Sequence, residues 1–313
     1  EEAAVAFRRQ LQIVRRLADR APEDHTRQMD LAQTYAWLSD ADSLRGDFPA
    51  ALAERAAEAA IYARILAAQP NDHAAAMALV VNHTAVARNE LLQNHVEAAI
   101  AELRATTAQL DRMIAASPDD ASMAGKASSA LQLLGQALMQ HGDLAEAEGP
   151  ARRARQIIEA MVRRDPTLNE WIGPRLGAAR ILEIKIAAMR AHGRPERLAA
   201  LAPVAAEADR LAALAAARPR YFPLSRVAAE ARLLAGDHQA LAGNPDAARA
   251  AWREAEQRLV EGGAERQSPS DRSRIVLGQL RTRLGQAGDR NAGLTQPGVR
   301  APLVASHGAV DYR

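Results

Sequence analysis

The apolar residues of this chain follow a helical pattern and not that of a β-sheet. No segment alternates apolar and polar residues between turn residues, which is the pattern of a half-buried strand. Instead, long segments rich in Ala and Leu are separated by short stretches that contain Pro, Gly or Asn. Aromatic residues make up 3% of the chain, whereas Ala, the best helix former, makes up about a quarter. The sequence therefore predicts an all-α protein.

Four prolines mark an internal repeat. Pro22, Pro70, Pro118 and Pro166 lie 48 residues apart, three times in succession. A fixed period of this size indicates one supersecondary unit that is copied along the chain. We predict a solenoid over 1–287, followed by an irregular tail over 288–313. The solenoid divides into a half repeat at 1–21, repeats at 22–69, 70–117, 118–165, 166–218 and 219–267, and a last helix at 270–287.

Each repeat is predicted to hold two helices, called the A helix and the B helix, joined by a turn. Gly46, Gly142, Gly193 and Gly243 are expected to close A helices in the left-handed conformation, and Asn94 takes this place in the second repeat. The pattern predicts about 12 helices. They span residues 3–20, 25–45, 49–68, 73–93, 96–116, 121–141, 144–164, 169–192, 195–217, 224–242, 245–261 and 270–286.

Small residues at fixed positions resemble those of the tetratricopeptide repeat. Gly135 and Gly142 lie seven residues apart, Ala147 follows five positions later and Ala154 seven positions after that. In the tetratricopeptide repeat, such small residues let the two helices approach closely. The resemblance covers residues 1–287, with longer helices than the standard repeat of about 34 residues. It implies a right-handed superhelical solenoid of antiparallel helix pairs. A second set of small residues at the same spacing is Gly236, Gly243, Ala248 and Ala255.

The 48-residue form of the repeat is also similar to arrays in proteobacterial multidomain signalling proteins. The proline near each repeat end and Glu170-Trp171 at the start of an A helix carry this similarity. In several of those families the array follows a Hanks-type serine/threonine kinase or a winged-helix regulator domain. The similarity implies a C-terminal interaction or sensory region of a bacterial signalling protein. Because the chain opens on a B helix at Glu1, we expect further sequence upstream.

Composition and motifs argue against catalysis, cofactors, metals and nucleic acid. The chain has no cysteine, which excludes disulfides and thiolate metal sites. A net charge of +2 gives no long-range field for a nucleic acid. The spacing of His73, His83 and His95 is not that of a helical metal site, and no glycine-rich phosphate loop or Ser-His-Asp order is present. We expect a non-enzymatic chain without cofactors.

The compartment is predicted from two features of the sequence. No apolar segment is long enough to span a bilayer, so we expect no direct membrane insertion by this chain. The absence of cysteine favours a periplasmic location, as part of a membrane-anchored bacterial protein, and a cytoplasmic location is the alternative.

The candidate binding surface is the concave groove that A helices line in solenoids of this type. Gln132, Gln136 and Gln140 form a stripe on one A helix that suits an extended peptide backbone, with an ordinary hydrated face as the alternative. His25 and His73 occupy the same repeat position, either as a recurring binding element or beside aspartates that cap helices. The candidate groove residues are Asp30, Gln33, Asp40, Thr84, Arg88, Ser129, Gln132, Gln136, Gln140, Arg180, Glu183, Arg190 and Asp237.

The sequence thus favours a scaffold that binds a protein or peptide in its groove. Two alternatives remain open. The first is a small-molecule-sensing helical domain that closes around a cavity, and the second is a structural dimerisation module that forms a homodimer.

The tail is expected to protect the last A helix. Leu303, Val304 and Tyr312 are predicted to fold back and cover its open apolar face. Deleting 288–313 should therefore lower the melting temperature or promote self-association. Thermal unfolding and light scattering check this, and an unchanged melting temperature together with an unchanged mass would contradict it.

Overall fold

The structure is a computed structural model, and it confirms an all-α chain of consecutive helix pairs. Within the described residues there are thirteen α-helices, one 3-10 helix at Ala264–Arg266 and no strand. Most helices that follow one another in the chain pack against each other. The described residues are 2–117, 119–165, 167, 174–218, 221–267 and 271–285.

The helices keep the predicted A and B order. The A helices are α2, α4, α6, α8, α11 and α13, and the others belong to the B layer. The bounds are α1 (Glu2–Asp19), α2 (His25–Arg45), α3 (Phe48–Ala68), α4 (His73–Leu92), α5 (Val96–Ala116), α6 (Ala121–His141), α7 (Leu144–Arg164), α8 (Leu176–Arg190), α9 (Arg194–Leu201), α10 (Val204–Ala217), α11 (Phe222–Ala242), α12 (Pro245–Glu261) and α13 (Arg272–Arg283).

Left-handed residues close most of the A helices. The φ angles of Gly46, Gly142 and Gly243 are 81°, 103° and 89°, and that of Asn94 is 65°. These four predictions are confirmed, because a left-handed residue lets its N–H return to the last carbonyls of the helix. The prediction for Gly193 is wrong. Its φ is −145°, and it lies in extended backbone at the start of α9 because α8 has already ended.

Aspartates cap the A helices at their N-termini. Asp24 accepts a hydrogen bond from the N–H of Arg27 at 3.1 Å, and Asp72 accepts one from the N–H of Ala75 at 2.9 Å. Such a cap contributes about 1 kcal/mol to helix stability. The bond from Ala75 is the main reason that the pKa of Asp72 lies below its usual value. The capping interpretation of these positions is confirmed.

The fourth repeat departs from the prediction. One B helix was expected over 195–217, but two helices, α9 and α10, occupy this range and are separated at Ala202 and Pro203. Proline lacks the N–H of an interior helical bond, and its ring clashes with the carbonyl four residues earlier. The A helix of this repeat was expected to begin at residue 169, but residues 169–173, with Trp171, lie outside the described residues. The predicted tail over 288–313 also lies outside them.

Contacts divide the chain into two compact units, residues 1–126 and 127–313, at a point within α6. In the first unit, Leu31 and Ile61 belong to an apolar cluster between α1, α2, α3 and α4. In the second unit, a large apolar cluster lies between α8, α10, α11, α12 and α13, with Leu211, Leu224 and Leu280 fully buried.

The close packing of α11 against α12 depends on a glycine, Gly236. A Cβ atom at Gly236 of α11 would lie 2.3 Å from Nε1 of Trp252 in α12. Trp252 is buried, and its Nε1 donates to the carbonyl of Leu233 at 3.2 Å. The indole therefore fills the space that a side chain at 236 would need.

Two glycine substitutions are expected to have opposite effects. Gly236→Ala should destabilise the fold by about 1–3 kcal/mol, because the added methyl overlaps Trp252. Gly278→Ala, within α13, meets no atom within 4 Å. This control should be neutral or stabilising by up to about 1 kcal/mol through helix propensity. Urea unfolding measures both, and equal effects would refute the close approach.

Candidate functional site

One side of α2 carries exposed residues at helical spacing and faces away from α3. Ser39 of α2 donates a hydrogen bond to the carbonyl of Ala51 in α3 at 2.8 Å, so it marks the side that packs. Trp37 precedes it by two residues, about 200° around the helix. Trp37 is 42% exposed and Leu44 is 62% exposed. The exposed residues of this stripe are Asp30, Gln33, Trp37, Asp40 and Leu44.

A similar stripe lies on α4. Asn82 packs towards α3, where it donates to the carbonyl of Arg55 at 2.8 Å. Val81 is 41% exposed and Arg88 is also exposed, whereas Thr84 is half-buried. These three follow at i, i+3 and i+7 and therefore share one side of the helix. Together with the stripe on α2 they form the α2–α4 face: Asp30, Gln33, Trp37, Asp40, Leu44, Val81, Thr84 and Arg88.

The α2–α4 face carries charges of both signs. Asp40 is exposed and accepts from Nη2 of Arg55, a buried residue of α3, at 2.5 Å. Arg55 also donates to Glu58 at 2.7 Å. Arg88 lies close enough to Asp40 and Arg55 for their charges to interact. The face therefore combines apolar side chains with hydrogen-bonding groups.

The glutamine stripe of α6 is less open than the face of α2. Gln132, Gln136 and Gln140 are all half-buried, and Ser129 is exposed. Nε2 of Gln132 donates to the hydroxyl of Ser128 at 3.3 Å. The amide at one end of the predicted ladder is therefore engaged within its own helix.

Arg180 and Glu183 of α8 face the B helices. Arg180 donates to Glu159 of α7 at 3.1 Å and to Glu207 of α10 at 3.2 Å. Glu183 accepts from Nε of Arg155 in α7 at 2.8 Å. The structure thus places both residues in a chain of ion pairs that links consecutive helices.

Arg190 lies in a cleft on the same side of α8. The cleft has a volume of about 590 Å³ and is lined by residues of α7, α8 and α9. Arg190 forms an ion pair with Glu148 of α7, which also accepts from Arg152 at 2.5 Å. Glu183 and Glu196 complete the charged lining. The cleft therefore brings together two of the predicted groove residues, Glu183 and Arg190.

Asp237 of α11 is held between two helices. Its carboxylate accepts two hydrogen bonds from Arg283 of α13, at 2.6 and 2.7 Å. It also accepts from Nε1 of Trp252 in α12 at 3.1 Å. These partners assign Asp237 to packing between helices.

A charged cluster that we did not predict joins three successive A helices. Glu230 of α11 is 6% exposed and bonds to Lys185 of α8 and, at 2.5 Å, to Arg272 of α13. Arg226 lies 3.9 Å away. Burial alone would raise the pKa of Glu230, but the charges of Arg272 and Lys185 lower it far below its usual value. Burial lowers the pKa of Lys185, so Arg272 is the more dependable partner.

This cluster lies on the side of α11 that faces away from the B helices. Arg232 contacts Asp209 of α10 at 3.0 Å and Glu254 of α12 at 3.1 Å. Glu230 precedes Arg232 by two residues, about 200° around the helix. In the second unit, three cationic side chains, those of Lys185, Arg226 and Arg272, therefore surround the buried carboxylate of Glu230.

The repeat period itself would have revealed this cluster. Lys185 and Glu230 are 45 residues apart, and Glu230 and Arg272 are 42 apart. His25 and Asp72, which form a hydrogen bond, are likewise separated by about one repeat period, 47 residues. Residues about one period apart occupy the same position on neighbouring A helices. Complementary polar residues about one period apart in the sequence are therefore the signal that predicts hydrogen bonds and ion pairs between neighbouring A helices.

Two carboxyl groups meet between α1, α2 and α3. Asp42 is wholly buried and accepts from Arg8 of α1 at 3.2 Å and from Arg45. Burial raises the pKa of Glu54, in α3, to about 7, and the charge of Asp42 acts in the same direction. Glu54 therefore holds its proton in the folded chain at pH values where an exposed glutamate is ionised.

A metal site needs clustered ligands, and a membrane span needs a long apolar helix. Among the described residues, no group of His, Asp or Glu is arranged to hold a metal ion. No helix there is both long and apolar enough to cross a bilayer.

The stability of this chain should fall as the pH rises from about 4.5 to about 7. The folded state keeps a proton on Glu54 in this window, whereas an unfolded glutamate has lost it, so the folded state binds more protons. Glu54→Gln should reduce this dependence and raise the melting temperature at pH 8. Burial also raises the pKa of Glu58, so part of the dependence should remain. Glu23→Gln, an exposed carboxyl in the loop before α2, is the control; melting curves that respond equally to both substitutions would contradict the assignment.

Comparison with known proteins supports the fold. No family model matches the chain, and no curated protein sequence matches it. Among solved structures, the chain is similar to BtubC (BKLC) from P. vanneervenii, with a TM-score of 0.57 and 15% sequence identity. The match covers 83% of this chain and 91% of that one. At this identity the similarity shows the fold alone, an all-helical chain of repeat-like helix pairs.

Proposed function

We propose that this chain is a non-catalytic scaffold that binds a protein or peptide in the groove lined by its A helices, on the side of these helices that faces away from the B helices. The observation that carries the proposal is the α2–α4 face, where Trp37, Leu44 and Val81 are exposed beside polar side chains. Exposed apolar groups gathered on one surface mark interaction sites. Tryptophan is among the residues that most often dominate binding energy when a partner covers them.

The face is suited to a partner in an extended conformation. Gln33 and Asp30 on α2, with Thr84 and Arg88 on α4, supply donors and acceptors along its length. The two helices are fixed relative to each other, because Ser43 of α2 donates to Asn89 of α4 at 2.7 Å. A surface that is already ordered loses little conformational entropy when it binds.

The biological setting follows from the resemblance of the sequence. The small-residue pattern supports a tetratricopeptide-like array, and the 48-residue period supports a sensory region in a bacterial signalling protein. A kinase or another effector domain elsewhere in such a protein is part of this proposal. The absence of cysteine favours the periplasm over the cytoplasm.

Two other functions have support from single observations. The cleft beside α8 favours a small-molecule sensor. The exposed Val5, Ile13 and Leu17 of α1 favour a dimerisation module. Light scattering of the purified chain distinguishes the dimer from the other two.

Selection from a random-peptide display library tests peptide binding. Peptides enriched on the intact chain should lose at least about tenfold in affinity when Trp37→Ala is introduced, because a central aromatic anchor is removed. Arg88→Glu should alter which peptide charges are selected. The control is Val260→Ala in α12, which removes an apolar side chain of similar exposure, 38%, from a B helix.

Melting curves of each variant show whether the fold is kept. The ring of Trp37 lies 5.9 Å from that of Phe7 in α1, so Trp37→Ala should lower the melting temperature slightly more than Val260→Ala does. No enrichment on the intact chain, or equal affinities for the Trp37→Ala and Val260→Ala variants, would refute binding at the α2–α4 face.

A further inference from the structure

We propose that the cleft lined by α7, α8 and α9 binds a small zwitterion whose ammonium and carboxylate groups lie about 10 Å apart. The site lies in the second unit and shares no residue with the α2–α4 face. The inference therefore goes beyond the proposed function, and either can fail without the other.

The spacing of charges on α8 sets the length of the ligand. Glu183, Ile186, Ala187 and Arg190 follow at i, i+3, i+4 and i+7 and lie on one side of the helix. Seven residues of an α-helix rise about 10.5 Å. Along α8, the cleft therefore has an acid at one end, a base at the other and aliphatic side chains between them, and α7 and α9 add Glu148, Arg152 and Glu196.

The acidic end lacks one hydrogen-bond donor. Oε2 of Glu183 accepts from Arg155 at 2.8 Å, but its Oε1 is buried without a partner. A buried acceptor left without a donor costs about 1–3 kcal/mol, and more when it is charged. An ammonium group placed against Oε1 would satisfy this oxygen and bring the complementary charge.

The basic end has donors to spare. Arg190 and Arg152 both pair with the single carboxylate of Glu148. Each guanidinium has five N–H groups, so several remain for another acceptor. Glu196 also lines this end of the cleft, but it accepts from the N–H of His192 at 2.9 Å. The remaining N–H groups of Arg190 and Arg152 can bind a carboxylate supplied by the ligand.

The residues in the middle of the cleft and the volume of the cleft match a ligand whose two charged groups are joined by a short aliphatic chain. Ile186 and Ala187 lie between the two charged ends, with Ala191 beside them. The volume of about 590 Å³ lies in the range of small-molecule sites. A diamine would place a cation against Arg190, and a dicarboxylate would place an anion against Glu183. Only a ligand with one charge of each sign matches both ends.

Linear ω-amino acids of increasing length are the direct probe, and trialanine with free termini is the peptide equivalent. Isothermal titration calorimetry should show an affinity maximum where the charges are about 10 Å apart. An alkylamine and an alkylcarboxylate of the same length should bind at least about tenfold more weakly, because each leaves one end unpaired. Tight binding of trialanine would assign the site to peptides with free termini, whereas preference for the ω-amino acids would assign it to free metabolites; both support the proposal.

Variants locate the binding. Glu183→Gln and Arg190→Gln should each weaken the best ligand about tenfold or more. Arg190→Gln leaves the Glu183–Arg155 pair intact, so its effect cannot come from loss of that ion pair. Arg163→Gln, at the exposed end of α7, is the control and should change nothing. Melting curves confirm that each variant is folded.

Three results would overturn the inference. The first is no binding of any zwitterion at millimolar concentration. The second is equal binding of the alkylamine and the zwitterion of the same length. The third is binding that survives in both folded cleft variants.

Discussion

The close approach of paired helices depends on one small residue near the start of four B helices, α3, α5, α7 and α12. Ala51, Ala99 and Ala147 follow each other at the repeat period and are completely buried, and Ala248 in α12 is 1% exposed. A helix pair of this length cannot bury its apolar side by itself, so its stability comes from packing against its neighbours. Alanine at this position brings the backbones together. The rest of the repeat is arranged around that contact.

The position seven residues later shows what happens when a small residue is replaced. Ala154 and Ala255 are completely buried there, but the first unit has Glu58 and Thr106 at the equivalent places, each 2% exposed. A buried carboxylate must have partners, and Glu58 has Arg55 at 2.7 Å and Asn82 at 2.8 Å. The network below the α2–α4 face therefore follows from one substitution in the repeat pattern. It also orients Arg55 towards Asp40, which fixes one of the charges on that face.

Turns and helix caps depend on a few neighbouring residues, and apart from Gly193 they could be predicted from the sequence. Which side of a helix packs against which neighbour depends on how the helix is rotated about its axis, and this could not be predicted. Gly46 and Asn94 act through their own backbone conformation, and Asp24 caps the helix that follows it, so each could be inferred from a few letters of sequence. The neighbours that each side of α8 contacts could not be inferred in this way. Arg180 faces two B helices and Lys185 faces another A helix, and only packing determines which side is which.

The fourth repeat differs from the others at this alanine position, and it is also the repeat that contains the cleft lined by α7, α8 and α9. Leu198 stands where the other B helices have alanine, and it packs in an apolar cluster with Leu201 of α9, Ala188 of α8 and Leu241 of α11. Pro203 then ends α9 and lets α10 take a separate course along α11. The cleft beside Glu183 and Arg190 is lined by α7, α8 and the short α9. The larger residue at position 198 and the shorter helix therefore occur in the same repeat as the charged cleft, and a site in this chain is expected where the repeat is least regular.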